Sequence, residues 1–342
     1  MDDSIQGSFQ EKTAAAGIVG YGNLGRGVKN VIGKHPDLEL KAVFSRRLPE
    51  ELDLGASSGK NLEVRQVDSI PKYRDKIDVL LLCGGSASDL PDQGPRYAQK
   101  FNTVDSYDNH DEINDYYQII NDIALENDNT CAVGIGWDPG LFSLNRMMME
   151  AVLPQGSGYT FWGPGLSQGH SDAIRELEGV ADAVQYTIPD EEHIEKVREG
   201  KKPPRSASQR HIRRCFVVAE ENADRKKIEQ EIKNMPNYFA DYQTEINFIS
   251  REELNAEHSE MPHGGFVLRN ARTGSKQKNK QIMEFSLDLD SNPEFTASVM
   301  VACARAITRL NREGKTGAYT IYDLPPAYLS PRSPEELRKN LL

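Results

Sequence analysis

No apolar run in this 342-residue chain approaches the roughly 20 residues that a membrane-spanning helix requires. Basic residues are also in deficit, with 41 lysines and arginines against 52 aspartates and glutamates. The formal net charge of -11 argues against nucleic acid or an anionic membrane as a partner. Cysteine is scarce: the four, Cys83, Cys131, Cys215 and Cys303, lie far apart in apolar stretches, and neither Cys-x-x-Cys nor His-Glu-x-x-His occurs. That leaves nothing to suggest a disulfide framework or a metal centre. Met1 to Lys12 is too polar and acidic for a signal peptide and reads as a frayed tail. A reduced, metal-free, cytoplasmic protein is the expectation. Its 38% hydrophobic share over this length is enough for two domains, each with its own core, and no internal repeat is evident.

Glycine, in contrast, is placed with purpose. Gly20-Tyr21-Gly22-Asn23-Leu24-Gly25 follows the apolar run Ala14 to Val19 and leads into a helical pattern with apolar positions Val28, Val31 and Ile32. A Gly-x-Gly-x-x-Gly turn between a first strand and its helix is the dinucleotide-binding arrangement. Gly20 permits the tight turn, Gly22 lets a pyrophosphate approach the backbone, and Gly25 lets helix and strand pack closely. N–H groups at the helix start then face the phosphates. The bland alternative is a glycine-rich turn of no special purpose, and the strand before it and helix after it weigh against that.

About twenty residues further on, where an NAD enzyme usually keeps an acid for the ribose hydroxyls, the second strand, Leu38 to Phe44, ends in Ser45-Arg46-Arg47. No carboxylate stands there. A hydroxyl and two guanidiniums suit the 2′-phosphate of NADP, because arginine binds phosphate through charge-assisted, often bidentate hydrogen bonds. Two solvated arginines at a strand end are the competing reading.

Strand and helix go on alternating. Ile77 to Cys83 reads as a strand buried in a parallel sheet and ends in Gly84-Gly85-Ser86. A helix over Pro91 to Lys100 is followed by a strand, Asn102 to Tyr107, that ends in Asp108-Asn109-His110. After a helix at Ile113 to Glu126, the strand Thr130 to Ile135 ends in Gly136-Trp137-Asp138-Pro139-Gly140. The pattern predicts a Rossmann-like, doubly wound α/β sheet over residues 1–137, with functional groups gathered on one edge.

Past Gly140 the rhythm changes. A Met-rich helix (Leu141 to Leu153) precedes Tyr159 to Trp162, the loop Gly163 to His170, a further helix and the strand Ala183 to Ile188. Then comes a charged connection, Pro189 to Gln209, with an exposed helix and loop. Strands at Arg213 to Ala219, Tyr242 to Ile249, Gly264 to Asn270 and Gln281 to Asp290, with a helix at Asp224 to Asn234, suggest an α+β second domain. It would span residues 138–295 with a largely antiparallel sheet. Asn292-Pro293-Glu294 marks a helix start, with Asn as cap, Pro at the first helical position and an acid in the first turn. The helix Pro293 to Arg312 has small and apolar residues on most sides and should be buried. With a strand at Ala318 to Asp323, residues 296–330 are expected to return to the first domain, and a proline-rich tail closes the chain.

Asp108 and Asp138 each lie just beyond a strand of the nucleotide-binding sheet. Two carboxylates there could hold a substrate ammonium and help to remove its proton, since a hydride leaves an amine-bearing carbon only when the nitrogen lone pair is free. Ordinary turn-forming aspartates would look the same. Of Arg213 and Arg214, strand alternation points only one inward, where it could bind a carboxylate bidentately. An exposed strand-end cation is the alternative. His263 reads as a structural or solvated loop histidine, Trp137 and Trp162 as core aromatics, and Asn292 as a cap.

Read together, these segments resemble the meso-diaminopimelate dehydrogenase family. The resemblance rests on the glycine turn through Arg26, Phe44 to Arg47, Thr103 to His110, Gly136 to Gly140, Phe161 to Ala173, Met261 to Gly265 and Asn292 to Ser298. It implies reversible, NADP-dependent oxidative deamination of meso-diaminopimelate at its D-configured centre. The products would be L-2-amino-6-oxopimelate, which cyclises to tetrahydrodipicolinate, with ammonia and NADPH, and the biosynthetic direction would supply lysine and a peptidoglycan precursor. By similarity NADP would be held by Gly20, Tyr21, Gly22, Asn23, Leu24 and Gly25, and by Ser45, Arg46 and Arg47. It would also touch Cys83, Gly84, Gly85 and Ser86, then Ser106, Tyr107 and Asp108, and Ile135, Gly136, Trp137, Asp138 and Pro139. Asp108, Asp138 and Trp162 would surround the reacting D-centre, the two aspartates as its catalytic carboxylates, with Gln168 and Gly169 nearby. Thr187, Arg213 (rather than Arg214), His263 and Asn292 would clamp the distant L end.

The family implies a homodimer formed through the second domain. This chain departs from the family's pattern in a longer N-terminal tail and in a basic 201–214 segment that opens Lys-Lys-Pro-Pro-Arg, and neither the tail nor that opening touches the implied chemistry. Rival readings of the same build are a dihydrodipicolinate reductase, a broad-specificity NADP-dependent D-amino acid dehydrogenase, and a non-catalytic NADP-binding regulator.

Overall fold

The computed structural model describes residues 13–54, 62–204, 206–260 and 262–342, so the tail at 1–12 and Met261 lie outside the described residues. The chain divides into two units, one running to Leu144 and resuming at Pro293–Leu342, the other comprising Asn145–Asn292. These boundaries fall a few residues from the expected 137/138 and 295/296. Both lie within or at the start of a helix, where composition does not change.

The first unit opens with β1 (Ala14–Val19), α1 (Asn23–Ile32), β2 (Leu38–Ser45), β3 (Glu63–Gln66), β4 (Val79–Leu82), α2 (Leu90–Ala98), β5 (Asn102–Asp105), α3 (Ile113–Glu126) and β6 (Thr130–Ala132). Their sheet is parallel throughout in the order β3-β2-β1-β4-β5-β6, so strand order reverses between β1 and β4. β1 and β4 read as unbroken apolar runs because both faces of the sheet are covered. Ile18 and Leu81 point to one side, and Val19, Leu80 and Leu82 to the other, where Tyr116 and Ile120 of α3 pack. β3 falls in a stretch that reads as a polar connection. Only one of its four residues is apolar, and it is held at the sheet edge by backbone pairing with β2 rather than by burial.

From α4 (Leu141–Val152) the chain enters the second unit, with β7 (Ser157–Trp162), β8 (Gly165–Leu166), α5 (Gln168–Arg175), β9 (Val180–Pro189), α6 (Glu191–Arg198), β10 (His211–Ala219), α7 (Arg225–Asn234), β11 (Gln243–Phe248), α8 (Arg251–Glu257), β12 (His263–Thr273) and β13 (Asn279–Leu289). The strands form two sheets, β11-β10-β9-β8 and β13-β12-β7, antiparallel except for the β10–β11 pair. α5 and α7 pack Ile174, Ile228 and Ile232 on Cys215 and Val217 of β10, while Leu254 of α8 covers Val218 on the opposite face.

α9 (Asn292–Arg312) and β14 (Gly317–Tyr319) return to the first unit. Ala297, Met300, Val301 and Ala304 of α9 join Ile18 and Leu81 in one core, and β14 extends the sheet by pairing in parallel with β6. β14 stops short of the expected Asp323 because the Asp323 carboxylate accepts the backbone N–H and hydroxyl of Thr320, both at 2.8 Å, and closes a turn. The tail carries α10 (Pro334–Leu341), which Ser333 and Glu336 start with a capping box. No helix among the described residues is long and apolar enough to cross a membrane.

Candidate active site

The three glycines of the β1–α1 turn differ in what holds them. Gly20 has φ +92°, and a Cβ there would come within 3.0 Å of the Cys83 carbonyl oxygen. The loops after β1 and β4 therefore meet backbone to backbone where strand order reverses. At Gly25 a Cβ would lie 2.2 Å from the Gly20 carbonyl oxygen, closer than any side chain allows. At Gly22 it would meet no described atom within 4 Å. The protein's own packing thus demands the outer two glycines and is indifferent to the middle one, as expected where a ligand has to reach the backbone. α1 begins directly after Gly22, with no side-chain cap and no acidic residue in its first turn, which suits an anion at its positive end. These features fit a dinucleotide.

At the end of β2 the two arginines are tied to neighbouring loops. The buried Ser45 hydroxyl accepts the Arg47 N–H at 3.0 Å, and the Arg47 guanidinium donates to the Tyr21 carbonyl. Arg46, largely exposed, pairs with Asp89 at 3.0 Å, and Asp89 also accepts the Gly85 N–H at 2.9 Å. Two cations and a hydroxyl thus stand together where an NAD site would carry an acid.

The loops after β4, β5 and β6 line the carboxyl edge side by side. The Asp108 N–H donates to the Ser86 hydroxyl at 2.9 Å, linking the first two loops, and Asp108 itself is exposed. Around Asp138 the chain is tightly wound. Gly140 has φ +132° and no room for a Cβ, while Gly136 and Trp137 carbonyls accept the N–H groups of Leu141 (3.1 Å) and Phe142 (2.8 Å). Trp137 is buried edge-on against Phe142, and the half-buried Asp138 has the Ser143 hydroxyl 3.5 Å from its carboxylate. Burial pushes the Cys83 thiol well above its ordinary pKa, so it offers no thiolate to the site.

In the second unit, alternation along β10 turns Arg213 inward and leaves Arg214 half-exposed, paired with Glu245 at 2.7 Å. Arg213 faces Thr187 across the β9–β10 ladder and donates to its hydroxyl. Its guanidinium lies 4.1 Å from the centroid of the Tyr242 ring. The Arg213 Nε has no partner, and no carboxylate among the described residues pairs with this buried cation. Gly163 and Gly165 bring the other predicted residues alongside. A Cβ at Gly163 would strike the Thr187 carbonyl oxygen at 2.0 Å, and one at Gly165 would strike the His263 ring at 2.7 Å. His263 therefore begins β12 rather than lying in a loop, because Gly163 and Leu166 donate to the Gly264 and Pro262 carbonyls on either side of it.

Trp162, Thr187, Arg213 and His263 are thus gathered around the Gly163–Gly165 turn. Gln168 and Gly169 open α5 close by, Gln168 exposed and bonded to Asp172 at 3.0 Å, Gly169 with open space beside it. Asn292 lies at the first turn of α9, as the last residue of its unit.

Two residues of this cluster escape a sequence reading. Tyr242, just before β11, forms the floor under Arg213, and nothing local marks it. His211 accepts the Trp162 N–H through Nε2 at 2.9 Å and bonds the Ala207 carbonyl through Nδ1 at 2.8 Å, which fixes its tautomer. Burial pulls its pKa down to about 4, so it stays neutral. Its position two residues before Arg213, on the same strand face, is the signal that could have found it.

Residues 136–291 match the model of the diaminopimelic acid dehydrogenase C-terminal domain. The chain is 56% identical over 326 residues to the meso-diaminopimelate D-dehydrogenase of Ureibacillus thermosphaericus, covering 95% of this chain and 98% of that one. A solved C. glutamicum DAP dehydrogenase in complex with DAP matches with a TM-score of 0.88 at 44% identity, over 97% of this chain and 100% of the other. An engineered D-amino acid dehydrogenase bound to NADP+ matches with a TM-score of 0.83 at 43% identity, over 96% and 100%. With its doubly wound sheet, its glycine turn and this likeness along nearly its whole length, the chain belongs to the diaminopimelate dehydrogenase family.

Proposed function

We propose that this chain catalyses the reversible oxidative deamination of meso-diaminopimelate at its D-centre, giving L-2-amino-6-oxopimelate, ammonia and NADPH. In the biosynthetic direction this supplies lysine and a peptidoglycan precursor. One observation carries the reading to the residues: Arg213 is a buried cation with a hydroxyl and a ring for neighbours but, among the described residues, no anion. Burying a charge unpaired is costly, and a substrate carboxylate is the partner that would offset the cost. The first unit binds the dinucleotide through the glycine turn, Ser45, Arg46 and Arg47 and the loops after β4, β5 and β6. The second unit binds the substrate and forms a homodimer in the cytoplasm.

Bound NADP supplies the hydride acceptor. Asp108 and Asp138 hold the ammonium of the D-centre and draw off a proton, so that the nitrogen lone pair forms C=N as the hydride leaves the carbon. Trp162, with Gln168 and Gly169, encloses that end. Water adds to the imine, and ammonia departs. Meso-diaminopimelate carries the same amino-acid head at both ends, so Thr187, Arg213, His263 and Asn292 decide which end reacts by clamping the L head at a distance.

NADPH formation from NADP and each separate stereoisomer of diaminopimelate tests this directly. The meso form should turn over and the LL form should be inert; equal rates would remove the stereochemical clamp, and no turnover despite NADP binding would favour the regulator reading. Cofactor choice has its own test. Each arginine–phosphate hydrogen bond is worth about 1.5–3 kcal/mol, roughly tenfold to a hundredfold. Arg46→Glu combined with Arg47→Glu should therefore abolish any preference for NADP over NAD in kcat/KM, and an unchanged ratio would place the 2′-phosphate elsewhere.

A further inference from the structure

Asp105 closes β5, three residues before Asp108, and is 1% exposed. Its Oδ1 accepts the N–H groups of Tyr107 and Gly134, each at 3.1 Å, and its Oδ2 accepts the Tyr116 hydroxyl at 2.9 Å. Its own carbonyl accepts the Ile135 N–H at 2.8 Å. The Tyr107 and Tyr116 rings stack at 4.1 Å, which closes the site over the carboxylate. The β5–β6 ladder pairs only Thr103 with Cys131 and Val104 with Ala132, so it ends before either active-site loop begins. Past that point the two loops are joined through Asp105, which holds Tyr107, one residue from Asp108, and Gly134 and Ile135, a few residues from Asp138.

We propose that Asp105 is a positioning residue: by bridging the loops after β5 and β6 it sets the spacing of Asp108 and Asp138 about the reacting amine. The inference rests on the assignment of those two aspartates to the reaction. Burial raises the Asp105 carboxyl pKa to about 6 even with three donors on it. The role needs the three-way hydrogen bonding, however, and not the charge. Asparagine can reproduce it, with Oδ1 accepting both N–H groups and Nδ2 donating to the Tyr116 oxygen, whose own hydroxyl can turn to the Leu90 carbonyl, 3.4 Å away. Alanine cannot.

The test measures kcat and KM for meso-diaminopimelate on folded enzyme, counted by NADP-binding stoichiometry. Asp105→Ala should lose kcat by about tenfold or more, since misplacement of reacting groups by an ångström is enough for that. Asp105→Asn should stay within about threefold of the parent, the hydrogen bonding being kept. If the alanine variant does not fold, Asp105→Ser, too short to reach both N–H groups, is read in the same way. A folded alanine or serine variant with an unchanged kcat, whatever its melting temperature, overturns the proposal. Asp108→Asn and Asp138→Asn are measured in parallel. If they cut kcat while folded Asp105→Ala does not, the positioning role alone fails; if neither has any effect, the assignment of the two carboxylates fails and takes the positioning role with it.

Discussion

Replacing Arg213 with alanine is expected to lower kcat/KM for meso-diaminopimelate by roughly thirtyfold to several thousandfold, because removing one partner of a buried, hydrogen-bonded charge pair costs about 2–5 kcal/mol. Thr187 and Tyr242 hold the guanidinium before substrate arrives, so its orientation need not be organised on binding. Lysine should not restore the rate, since a point charge on a flexible stem cannot reproduce a planar fork lying on a ring. Melting temperature should move the other way and hold or rise, because the variant no longer buries a cation without an anion. Arg214→Ala, which breaks only a half-exposed ion pair with Glu245, is the matched control and should leave kcat/KM unchanged. Initial rates at subsaturating substrate decide the matter. A kcat/KM for Arg213→Ala near that of the parent would take Arg213 out of the clamp.

The second large effect separates two glycines three residues apart. Gly22→Ala should fold as the parent does, because its Cβ meets no described atom within 4 Å. NADP affinity should nevertheless fall by on the order of a hundredfold, about 3 kcal/mol, as a methyl group displaces the pyrophosphate from the backbone. Gly25→Ala should fail differently. Its Cβ would overlap the Gly20 carbonyl oxygen, and overpacking of this kind costs about 1–3 kcal/mol, so the melting temperature should drop by several degrees without any ligand. Thermal melts with and without saturating NADP, together with a binding titration, resolve the two. Equal losses of apo stability in both variants would mean that Gly22 serves the fold rather than the cofactor.

How far these features could be read from residues depends on whether the physics is local. The glycine turn, the arginines after β2 and the helix start at Asn292-Pro293 are short-range patterns, and the sequence order places them on their elements directly. β3 was invisible because an edge strand with one apolar residue carries no burial signal, and β8 because two residues make no pattern. Alternation marks the strands of the second unit but not their partners, so one expected sheet turns out to be two. Arg213 could be narrowed to one of a pair by alternation, yet its floor, Tyr242, comes from a segment about thirty residues away and reaches it only through tertiary packing. Asp105 does leave a local trace. It is a carboxylate at the end of the buried strand Asn-Thr-Val-Asp, and such a group has to find donors somewhere.

The late return of α9 and β14 to the first unit has a consequence for the growing chain on the ribosome. When β6 has been made, the face of the sheet bearing Ile18 and Leu81 still lacks Met300, Val301 and Ala304, and β6 has no neighbour on its outer side. At about 5–20 residues per second, roughly ten to forty seconds pass before residue 319 is polymerised. For that interval the nascent nucleotide-binding half carries an apolar face covered only in part, by Val28 and Ile32 of α1, and an open strand edge, the two features that recruit chaperones or other chains. Nascent chains halted near residue 290 should accordingly be bound by hydrophobic-segment chaperones, and release should coincide with emergence of the last strand.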